Sequence, residues 1–395
     1  MKILTLATVY PNAKEPSLGI FVQKRVQHLA AHADLKVICP IPVFNYGRRN
    51  GSVGSIPNRR WEGAIEVIHP RWFYPPVAGA LNAVFLFLQI RRPVAGIRSD
   101  FGFQIIDAHF GHPEGVAAAL LAGLLGCPFT ITMRGSEQLH QQHWLRRLWM
   151  GWALSRAGRV ISVSQRLREL AIALGADPSR VVVIPNGIET QVFHLLDREA
   201  CRSEYGLSPK TKVVVSAGHL IELKGHHRIV RALQSLRNEG LQVELLIAGG
   251  SGRGGDYEPK LRQEIASLGL NGHVRLLGHL QPAALAKLFN AADLFCLASA
   301  REGWPNVLHE ALASGAPGVA TDVGAVPDMI PSEKYGIIVP PGDAEALHAA
   351  LKRGLNRDWA RAEIAAWGQK RSWEQVAGEV LREMSSSWEE FCNAH

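Results

Sequence analysis

Short apolar runs alternate with longer amphipathic stretches along the first half of the chain. In the longer stretches apolar residues recur at helical spacing, whereas the runs have the length of buried strands. This alternation predicts parallel β-sheets covered by helices on both faces. The predicted strands are 2–8, 35–39, 65–68, 104–108, 129–132, 159–163 and 181–184, and the predicted helices are 19–32, 77–98, 113–125, 143–156 and 165–174.

The same rhythm restarts after a turn-rich segment, IPNGIETQVF, at 184–193. We therefore predict domains at 1–188 and 189–371, followed by a helical tail at 372–395. Two doubly wound units in tandem predict a cleft between them, at the carboxyl ends of the strands. The predicted strands of the second unit are 212–217, 242–248, 274–277, 293–297 and 317–320, and its predicted helices are 225–239, 257–267, 282–290 and 306–314.

Composition agrees with a folded two-domain protein. A chain of 395 residues exceeds the usual size of one core, and 47% hydrophobic with 20% charged residues excludes disorder. The five cysteines are scattered, so we expect reduced thiols in a cytoplasmic protein without a zinc site. The start, MKILTLATVYPN, predicts a strand rather than a signal peptide. The longest apolar tract, 77–90, is too short to cross a bilayer.

Charge is concentrated in the first half, where residues 1–190 carry 21 Lys and Arg against 11 Asp and Glu. A basic half attracts anionic partners, although a solubilising surface bias is the alternative. The segment HWLRRLWMGWALSRAGR at 143–159 interleaves three tryptophans with four arginines. It predicts peripheral contact with an anionic membrane at the cytoplasmic face, unless its tryptophans face the core. No nucleic-acid-binding module is recognisable, so no nucleic acid is expected as a partner.

The segment AREGWPNVLHEALASGAP at 300–317 contains the first candidate ligand-binding residues. A helix is predicted to begin near Pro305 or Asn306, and its free N–H groups favour a phosphate beside Gly303. Glu302 precedes this helix and Glu310 lies within it, so both carboxylates can accept hydrogen bonds from sugar hydroxyls. The alternative is that Glu302 only complements the helix dipole and Glu310 is solvated.

A second segment, SAGHLIELKG at 216–225, places Lys224 at the head of the next helix. A lysine there is a compact cation for a diphosphate. Arg134 in TMRGSE follows a predicted strand, and we expect it to contact the acceptor or a phosphate.

Together these segments resemble the retaining glycosyltransferases of family four, which have the GT-B fold. The resemblance covers nearly the whole chain and includes the pair Glu302 and Glu310, which have seven residues between them. It implies two Rossmann-like domains facing an interdomain cleft, with the C-terminal helix crossing back to the N-terminal domain. The other matching segments are SVSQRLRELA (162–171), VIPNGIETQVF (183–193), AGHLIELKGH (217–226), LIAGGSG (246–252), VRLLGHL (274–280) and VGAVPDMI (323–330).

The resemblance implies that residues 1–188 bind the acceptor and 189–371 a nucleotide-diphosphate sugar. A hexose or hexosamine would pass, with retention, to a glycan or lipid-linked acceptor in polysaccharide or glycoconjugate biosynthesis. The implied catalytic residues are His109, beside the transferred sugar, with Lys224 and Glu302. The implied donor-binding residues are Gly19, His219, Lys224, Leu280, Glu302, Gly303, Trp304, Asn306, Val307 and Glu310.

One departure from the usual pattern and one absent motif bear on the chemistry. His219 stands where relatives have an arginine, which weakens the expected compensation of the leaving diphosphate. No Asp-x-Asp occurs, so we expect neither a metal nor another cofactor.

Other activities remain open from the sequence. A nucleotide-sugar epimerase, a pyridoxal-dependent phosphorylase and a non-catalytic nucleotide-sugar-binding protein fit the same scaffold. The segment GGSGRGG at 249–255 also matches a dinucleotide fingerprint, but no acidic residue follows the next strand to bind a ribose.

Overall fold

Two predominantly parallel β-sheets organise the chain. The computed structural model describes residues 1–43, 55–73, 76–252 and 255–394. The chain divides into unit 1, Met1–Gly187 with Trp373–His395, and unit 2, Ile188–Ser372. Each unit has its own sheet and its own buried core.

The main sheet of unit 1 has eight strands. Its order is β10-β9-β8-β7-β1-β2-β5-β4, so the direction of winding changes at β1. The first strand pairs in parallel with both β2 and β7, which is the arrangement of a doubly wound sheet. Its strands are β1 (Lys2–Leu6), β2 (Asp34–Ile38), β4 (Arg59–Glu62), β5 (Ile65–Ile68), β7 (Ile105–His109), β8 (Phe129–Met133), β9 (Arg159–Ser162) and β10 (Val181–Val183), while β3 (Ile41–Pro42) and β6 (Arg71–Trp72) form a separate parallel pair.

One edge of this sheet corrects the expectation of purely parallel strands. β4 pairs antiparallel with β5, through a turn at Gly63 whose φ is 58°. The sequence of β4, RRWE, has no apolar run because its side chains are exposed or only partly buried. A periodicity argument therefore passes over it.

Helices cover both faces of the unit 1 sheet. Their bounds are α1 (Ile20–Leu29), α2 (Asn82–Phe101), α3 (Val116–Leu125), α4 (Glu137–His140), α5 (Trp144–Leu154) and α6 (Gln165–Ala173), with short 3₁₀ helices at Pro76–Leu81 and Pro178–Arg180 and an irregular turn at Gly111–Gly115. The predicted helix 113–125 is therefore a turn followed by a helix.

The helix α2 is longer than the apolar tract that predicted it. By length and composition alone, Gly79–Phe101 would suffice to cross a membrane. The apolar tract at 77–90 therefore understates the length of this helix. The helix buries Leu86, Ile90 and Val94 and contacts α3, so one of its faces belongs to the core of unit 1.

The C-terminal helix, Trp373–Ala394, completes unit 1. Its residues Val376 and Val380 lie in the same buried cluster as Val22 and Val26 of α1. Arg159, at the start of β9, forms ion pairs with Glu383 and Glu390 of this helix. The tail therefore forms part of the first core, as the resemblance implies.

The sheet of unit 2 has six parallel strands, in the order β13-β12-β11-β14-β15-β16. Val213 and Val215 pack into one buried cluster and Val214 into the other, because alternate strand residues face opposite sides. The strands are β11 (Lys212–Ala217), β12 (Val243–Ala248), β13 (Val274–Leu276), β14 (Leu294–Leu297), β15 (Gly318–Thr321) and β16 (Gly336–Val339). The helices are α7 (Arg198–Glu204), α8 (His226–Asn238), α9 (Glu258–Ser267), α10 (Pro282–Ala291), α11 (Asn306–Ala313), α12 (Val326–Met329), α13 (Ala344–Leu355) and α14 (Arg361–Gly368), with a 3₁₀ turn at Glu222–Lys224.

Candidate active site

Lys224 and Glu302 form an ion pair at the carboxyl end of the unit 2 sheet. Lys224 Nζ lies 2.6 Å from Glu302 Oε1, and the Ser299 hydroxyl donates to the same oxygen at 2.7 Å. The lysine follows β11 and the carboxylate follows β14, and these strands are neighbours in the sheet. The topology therefore brings together two predicted site residues from distant segments. The sequence analysis missed Ser299, although this residue follows β14 and lies three positions before Glu302.

Glycines allow these loops to approach each other closely. Gly225 has a φ of 71°, and a Cβ at this position would lie 2.0 Å from the Ala298 carbonyl oxygen. Gly324 has a φ of 54°, and its Cβ would lie 2.4 Å from the Glu302 carbonyl oxygen. Both positions combine left-handed backbone with lack of space, so only glycine fits without displacement. They fix the backbone on both sides of the ion pair.

Helix α11 begins at Asn306, as predicted, and its N-terminus follows the Glu302 loop. No side chain caps this terminus, at which Pro305 is the N-cap residue. An uncapped terminus presents backbone N–H groups and a partial positive charge, which favour an anion. The loop itself is held by the Ala325 N–H, which donates to the Gly303 carbonyl at 3.0 Å.

Glu310 lies in the second turn of α11. Among the described residues its carboxylate has no hydrogen-bond or ion-pair partner, and burial raises its pKa to about 7. It is partly buried rather than fully solvated. A carboxyl group in this state can bond a ligand hydroxyl without first losing a protein partner.

The remaining predicted donor residues of unit 2 surround this segment. Trp304 packs its ring edge-to-face on His309, with centroids 5.6 Å apart, and Val307 and Leu280 contact the buried core. Desolvation by nearby protein atoms, then Lys224, lowers the pKa of His219, so this ring is neutral at pH 7. A neutral His219 would supply no charge to a diphosphate. Of GGSGRGG, Arg253 and Gly254 lie outside the described residues.

His109 occupies a different environment from the one that the resemblance implies. The ring is fully buried, its Nε2 lies 3.0 Å from Asp107 Oδ2, and its Nδ1 accepts a hydrogen bond from Arg134 Nε at 2.9 Å. Burial lowers the pKa of His109 to about 3. A sugar hydroxyl can bond this ring only by displacing one of these partners. The structure thus does not present His109 as a free group.

Arg134 links this buried network to the end of unit 1. Its Nη1 donates to Asn186 Oδ1 at 3.0 Å, and its guanidinium carbon lies 5.0 Å from the centroid of the Phe21 ring. Nη2 is buried and has no hydrogen-bond partner among the described residues. A buried guanidinium with a free N–H is costly unless a ligand satisfies it. A ligand contact for Arg134 therefore stays a prediction, and Asn186 is a partner of Arg134 that the sequence analysis missed.

Two buried glutamates that the sequence analysis missed hold the surrounding loops. Glu137 accepts backbone N–H bonds from Gly111 and Gly135, both at 2.8 Å, and Glu114 accepts the backbone N–H of Thr8 at 3.0 Å. Burial raises the pKa of Glu114 to about 7. Glu137 lies in the segment TMRGSE, which contains Arg134, and Glu114 lies in the turn that follows His109.

Gly19, predicted near the phosphates, lies at the start of α1 with a φ of 67°. A Cβ there would lie 2.3 Å from the Val9 carbonyl oxygen. Glycine at this position therefore allows the β1–α1 loop to fold back on itself. Whether it also meets a ligand stays a prediction.

Other features lie apart from these residues. A cavity of about 200 Å³ between α8 and α13, lined by residues such as Arg228 and Asp343, contains none of the predicted site residues. Within the part of the chain that the structure describes, no three His, Cys, Asp or Glu side chains come together as metal ligands.

The arrangement defines a two-domain glycosyltransferase of the GT-B fold. The chain belongs to the family described as glycosyl transferases group 1, whose model matches residues 197–371, and a glycosyl transferase 4-like domain matches residues 19–187. It is 30% identical over 382 residues to TuaC of Bacillus subtilis (strain 168), a glycosyltransferase assigned to teichuronic acid biosynthesis, with 92% of each chain covered. It is 33% identical to a D-inositol 3-phosphate glycosyltransferase of Nocardia farcinica, covering 60% of this chain and 54% of that one.

Solved structures agree on the fold. Sucrose-phosphate synthase from Thermosynechococcus elongatus superposes with a TM-score of 0.80 at 19% identity, covering 98% of this chain and all of that one. HepE from Anabaena, whose structure holds UDP-glucose, gives 0.72 at 21% identity over 98% of this chain and 100% of that one. The family favours glycosyl transfer over the epimerase, phosphorylase, dehydrogenase and non-catalytic alternatives.

Proposed function

We propose that this protein transfers a hexose or hexosamine, with retention of configuration, from a nucleotide-diphosphate sugar to a glycan or lipid-linked acceptor. The observation that carries the proposal is the Lys224–Glu302 pair beside the uncapped start of α11. Lys224 and the backbone amides of α11 suit the diphosphate of a sugar nucleotide. The Glu302 carboxylate, on an adjacent loop, suits the hydroxyls of the sugar. HepE, with UDP-glucose bound, supports this donor class.

The chemistry requires charge stabilisation at both ends of the breaking bond. As the anomeric carbon leaves the phosphate oxygen, positive charge develops on the sugar and negative charge on the diphosphate. Lys224 and the amides of α11 stabilise the diphosphate, and Glu302 holds sugar hydroxyls once Lys224 turns toward phosphate. Because the sequence has no Asp-x-Asp, we propose that no divalent cation takes part.

Glu310 is proposed to bind the ribose of the nucleotide. Its carboxyl group is partly buried and without a partner among the described residues. A ribose diol supplies two hydroxyl donors, which would stabilise the ionised form of the carboxyl and thereby lower its pKa.

We propose that unit 1 binds the acceptor at an anionic membrane. Trp144 and Leu148 of α5 are 69% and 61% exposed, and Leu81 and Leu88, before and within α2, are 40% and 46% exposed. Trp149 and Trp152, by contrast, are partly buried and pack edge-to-face with centroids 5.8 Å apart, so only Trp144 of the three predicted tryptophans is exposed.

Charge around this apolar surface is basic. Arg91 and Arg92 of α2 and Arg147 of α5 are exposed. Residues 76–99 and 138–159 contain no Asp or Glu at all. Exposed aromatic and aliphatic side chains flanked by arginines suit the headgroup region of an anionic leaflet. We therefore place the protein at the cytoplasmic face of a membrane, with a lipid-linked glycan as the acceptor.

The experiment that tests the donor is a calorimetric binding screen of the purified protein against UDP-, GDP-, ADP- and dTDP-linked sugars, followed by slow hydrolysis without acceptor. We expect one donor to bind with a Kd below about 1 mM and to be hydrolysed in EDTA as fast as in magnesium. Binding of none of them, or hydrolysis abolished by EDTA, contradicts the corresponding part of the proposal.

A further inference from the structure

A cluster of basic side chains lies in unit 1 where α4, α5 and the Gly111–Gly115 turn meet. The rings of His112 and His140 are 5.3 Å apart, and Arg146 Nη1 lies 3.2 Å from His140 Nδ1. His112 comes from the turn after β7, His140 from α4 and Arg146 from α5. None of these residues belongs to the donor site described above.

Polar atoms of His112 and Arg146 lack hydrogen-bond partners among the described residues. His112 is 1% exposed, and neither of its ring nitrogens has a hydrogen-bond partner of normal geometry, although the Ala80 backbone approaches the ring. Within the part of the chain that the structure describes, Arg146 Nε is also buried without a partner, as is Trp149 Nε1 one turn further along α5. Buried donors without partners are rare in proteins, so this cluster calls for a ligand.

The electrostatics specify the charge of that ligand. After burial, the side chains that lower the pKa of His112 are His140, Arg146 and His143, all of them basic, while the Ala80 backbone raises it. Among the described ion pairs, none joins Arg146 to a carboxylate. A neutral imidazole and a guanidinium without a counter-ion form an environment that an anion would stabilise.

The backbone is shaped to admit Arg146. A Cβ at Gly79 would lie 2.7 Å from Arg146 Nη2, so the guanidinium rests against the bare backbone of the 3₁₀ turn before α2. This turn leads into Leu81, which is part of the exposed apolar surface. The cluster therefore lies between this exposed apolar surface and the loops that contain Arg134.

The connection to Arg134 runs through one carboxylate. Glu137 accepts N–H bonds from Gly111, the residue before His112, and from Gly135, the residue after Arg134. Because both bonds are 2.8 Å, the His112 turn and the Arg134 loop are fixed side by side. A group bound at the cluster would thus be next to the proposed acceptor contact.

We propose that His112, His140 and Arg146 form a phosphate-binding site and that its ligand is the phosphate joining the acceptor to its lipid. The arginine supplies charged N–H donors to phosphate oxygens, and His112 supplies a ring N–H. The lipid lies along the exposed apolar surface, while the first sugar lies toward Arg134. This inference rests on the proposed function, since it assigns the acceptor of that reaction.

The test follows modification of individual arginines of the full-length protein by phenylglyoxal, resolved by mass spectrometry. Inorganic pyrophosphate is the soluble probe. We expect it to slow modification of Arg146 at least about fivefold and that of its exposed neighbour Arg147 less than about twofold, because only Arg146 belongs to the site. Absence of protection, or equal protection of both arginines, overturns the site.

Two kinds of vesicle then identify the source of the phosphate. Phosphatidylcholine vesicles carry either polyprenyl diphosphate or phosphatidylglycerol at equal surface charge. We expect the Arg146 to Arg147 rate ratio to fall only with the polyprenyl diphosphate. An equal fall with phosphatidylglycerol retains the phosphate site but overturns the assignment of the acceptor lipid.

A pair of glycine variants tests the geometry without removing charge. In Gly79→Ala the new methyl group displaces the Arg146 guanidinium, so protection by pyrophosphate should weaken at least about threefold. Gly123→Ala is the matched control, because nothing lies within 4 Å of its Cβ. Unchanged protection in folded Gly79→Ala contradicts the site, and if this variant does not fold, the wild-type protection decides.

Donor binding is measured on the same sample to separate the two proposals. Failure of every nucleotide sugar to bind while Arg146 remains protected contradicts the proposed function alone. Donor binding without protection of Arg146 contradicts only this inference.

Discussion

Lys224 Nζ and Glu302 Oε1 lie 2.6 Å apart although 78 residues separate the two in the chain. The pair joins the loop after β11 to the loop after β14 at the carboxyl end of one sheet. The ammonium group thus has a carboxylate partner in this structure, and in the proposed reaction it turns toward the phosphate of the donor.

Lys224→Ala and Glu302→Gln should each lower turnover at least about tenfold, because each removes a charge that the transition state requires. The measurement is acceptor-dependent release of nucleotide diphosphate at saturating donor. Lys334→Ala is the control, since Lys334 is exposed and outside the site. Rates like those of the wild type in both site variants remove the pair from the mechanism.

The stability of the unliganded protein should fall as pH rises through the range set by Glu310. Its pKa is 4.5 in the unfolded chain and about 7 in the fold, so between these values the folded state binds more protons. Stability is therefore greatest at the acidic end of this window and decreases toward pH 7. Urea titrations at pH 5 and pH 7.5 measure the change.

Glu310→Gln should reduce this pH dependence, because glutamine does not titrate. Glu389→Gln, at an exposed position, should leave it unchanged. Glu114, whose pKa is also raised to about 7 by burial, accounts for part of the remaining slope. A Glu310→Gln variant with the full wild-type slope contradicts the assignment.

Arg134→Ala should raise the KM for the acceptor and spare the KM for the donor, because Arg134 belongs to unit 1 and its Nη2 has no protein partner. Loss of its bond to His109 will also reduce stability, so thermal unfolding must be followed in parallel. Asn186→Ala, which removes a partner of Nη1, should give a smaller effect in the same direction. An increase in donor KM alone would assign Arg134 to the donor.

Gly158→Ala should destabilise unit 1 by about 1–3 kcal/mol through overpacking. A Cβ at Gly158 would lie 2.0 Å from Ser387 Oγ of the C-terminal helix. Ser387→Ala should recover part of the loss, because it removes that oxygen. Gly123→Ala, at an open helical position, should instead stabilise by about 0.5–1 kcal/mol.

Binding to phosphatidylglycerol vesicles should require the exposed surface of α5. Trp144→Ser with Leu148→Ser should weaken binding at least about tenfold, since each side chain is largely exposed and apolar. Trp61→Ser is the matched control, because Trp61 is 66% exposed but lies on β4. Cosedimentation is measured at low salt and at about 0.5 M salt, where the shorter Debye length screens exposed charges. The comparison separates the charged contribution to binding from the apolar one. Indifference of the wild type to anionic vesicles would end the membrane proposal.

The sequence predicted the site of unit 2 better than that of unit 1 for a physical reason. Lys224 and the start of α11 follow from local signals, namely strand ends, glycines and a proline at a helix start. The buried network of unit 1 depends on partners distant in sequence, such as Arg25 and Asp107, which lie 82 residues apart. No spacing rule identifies such a pair.

The fold shows the same division. Most strands with apolar runs were predicted within a few residues, whereas β4, with the sequence RRWE, was missed because an edge strand needs no buried face. The strand Gly336–Val339 and the helices α13 and α14 were also not assigned. His109 was assigned by resemblance, and only the structure shows that Asp107 and Arg134 hydrogen-bond to the two nitrogens of its ring.

Because the helix Trp373–Ala394 packs against α1, unit 1 begins to be synthesised before unit 2 but is completed after it. Synthesis from the N-terminus produces α1 early, yet Val22 and Val26 obtain their Val376 and Val380 neighbours only after all of Ile188–Ser372 has been translated. While Ile188–Ser372 is being translated, the apolar side chains of α1 that will contact the last helix therefore stay uncovered, and the second unit is free to fold.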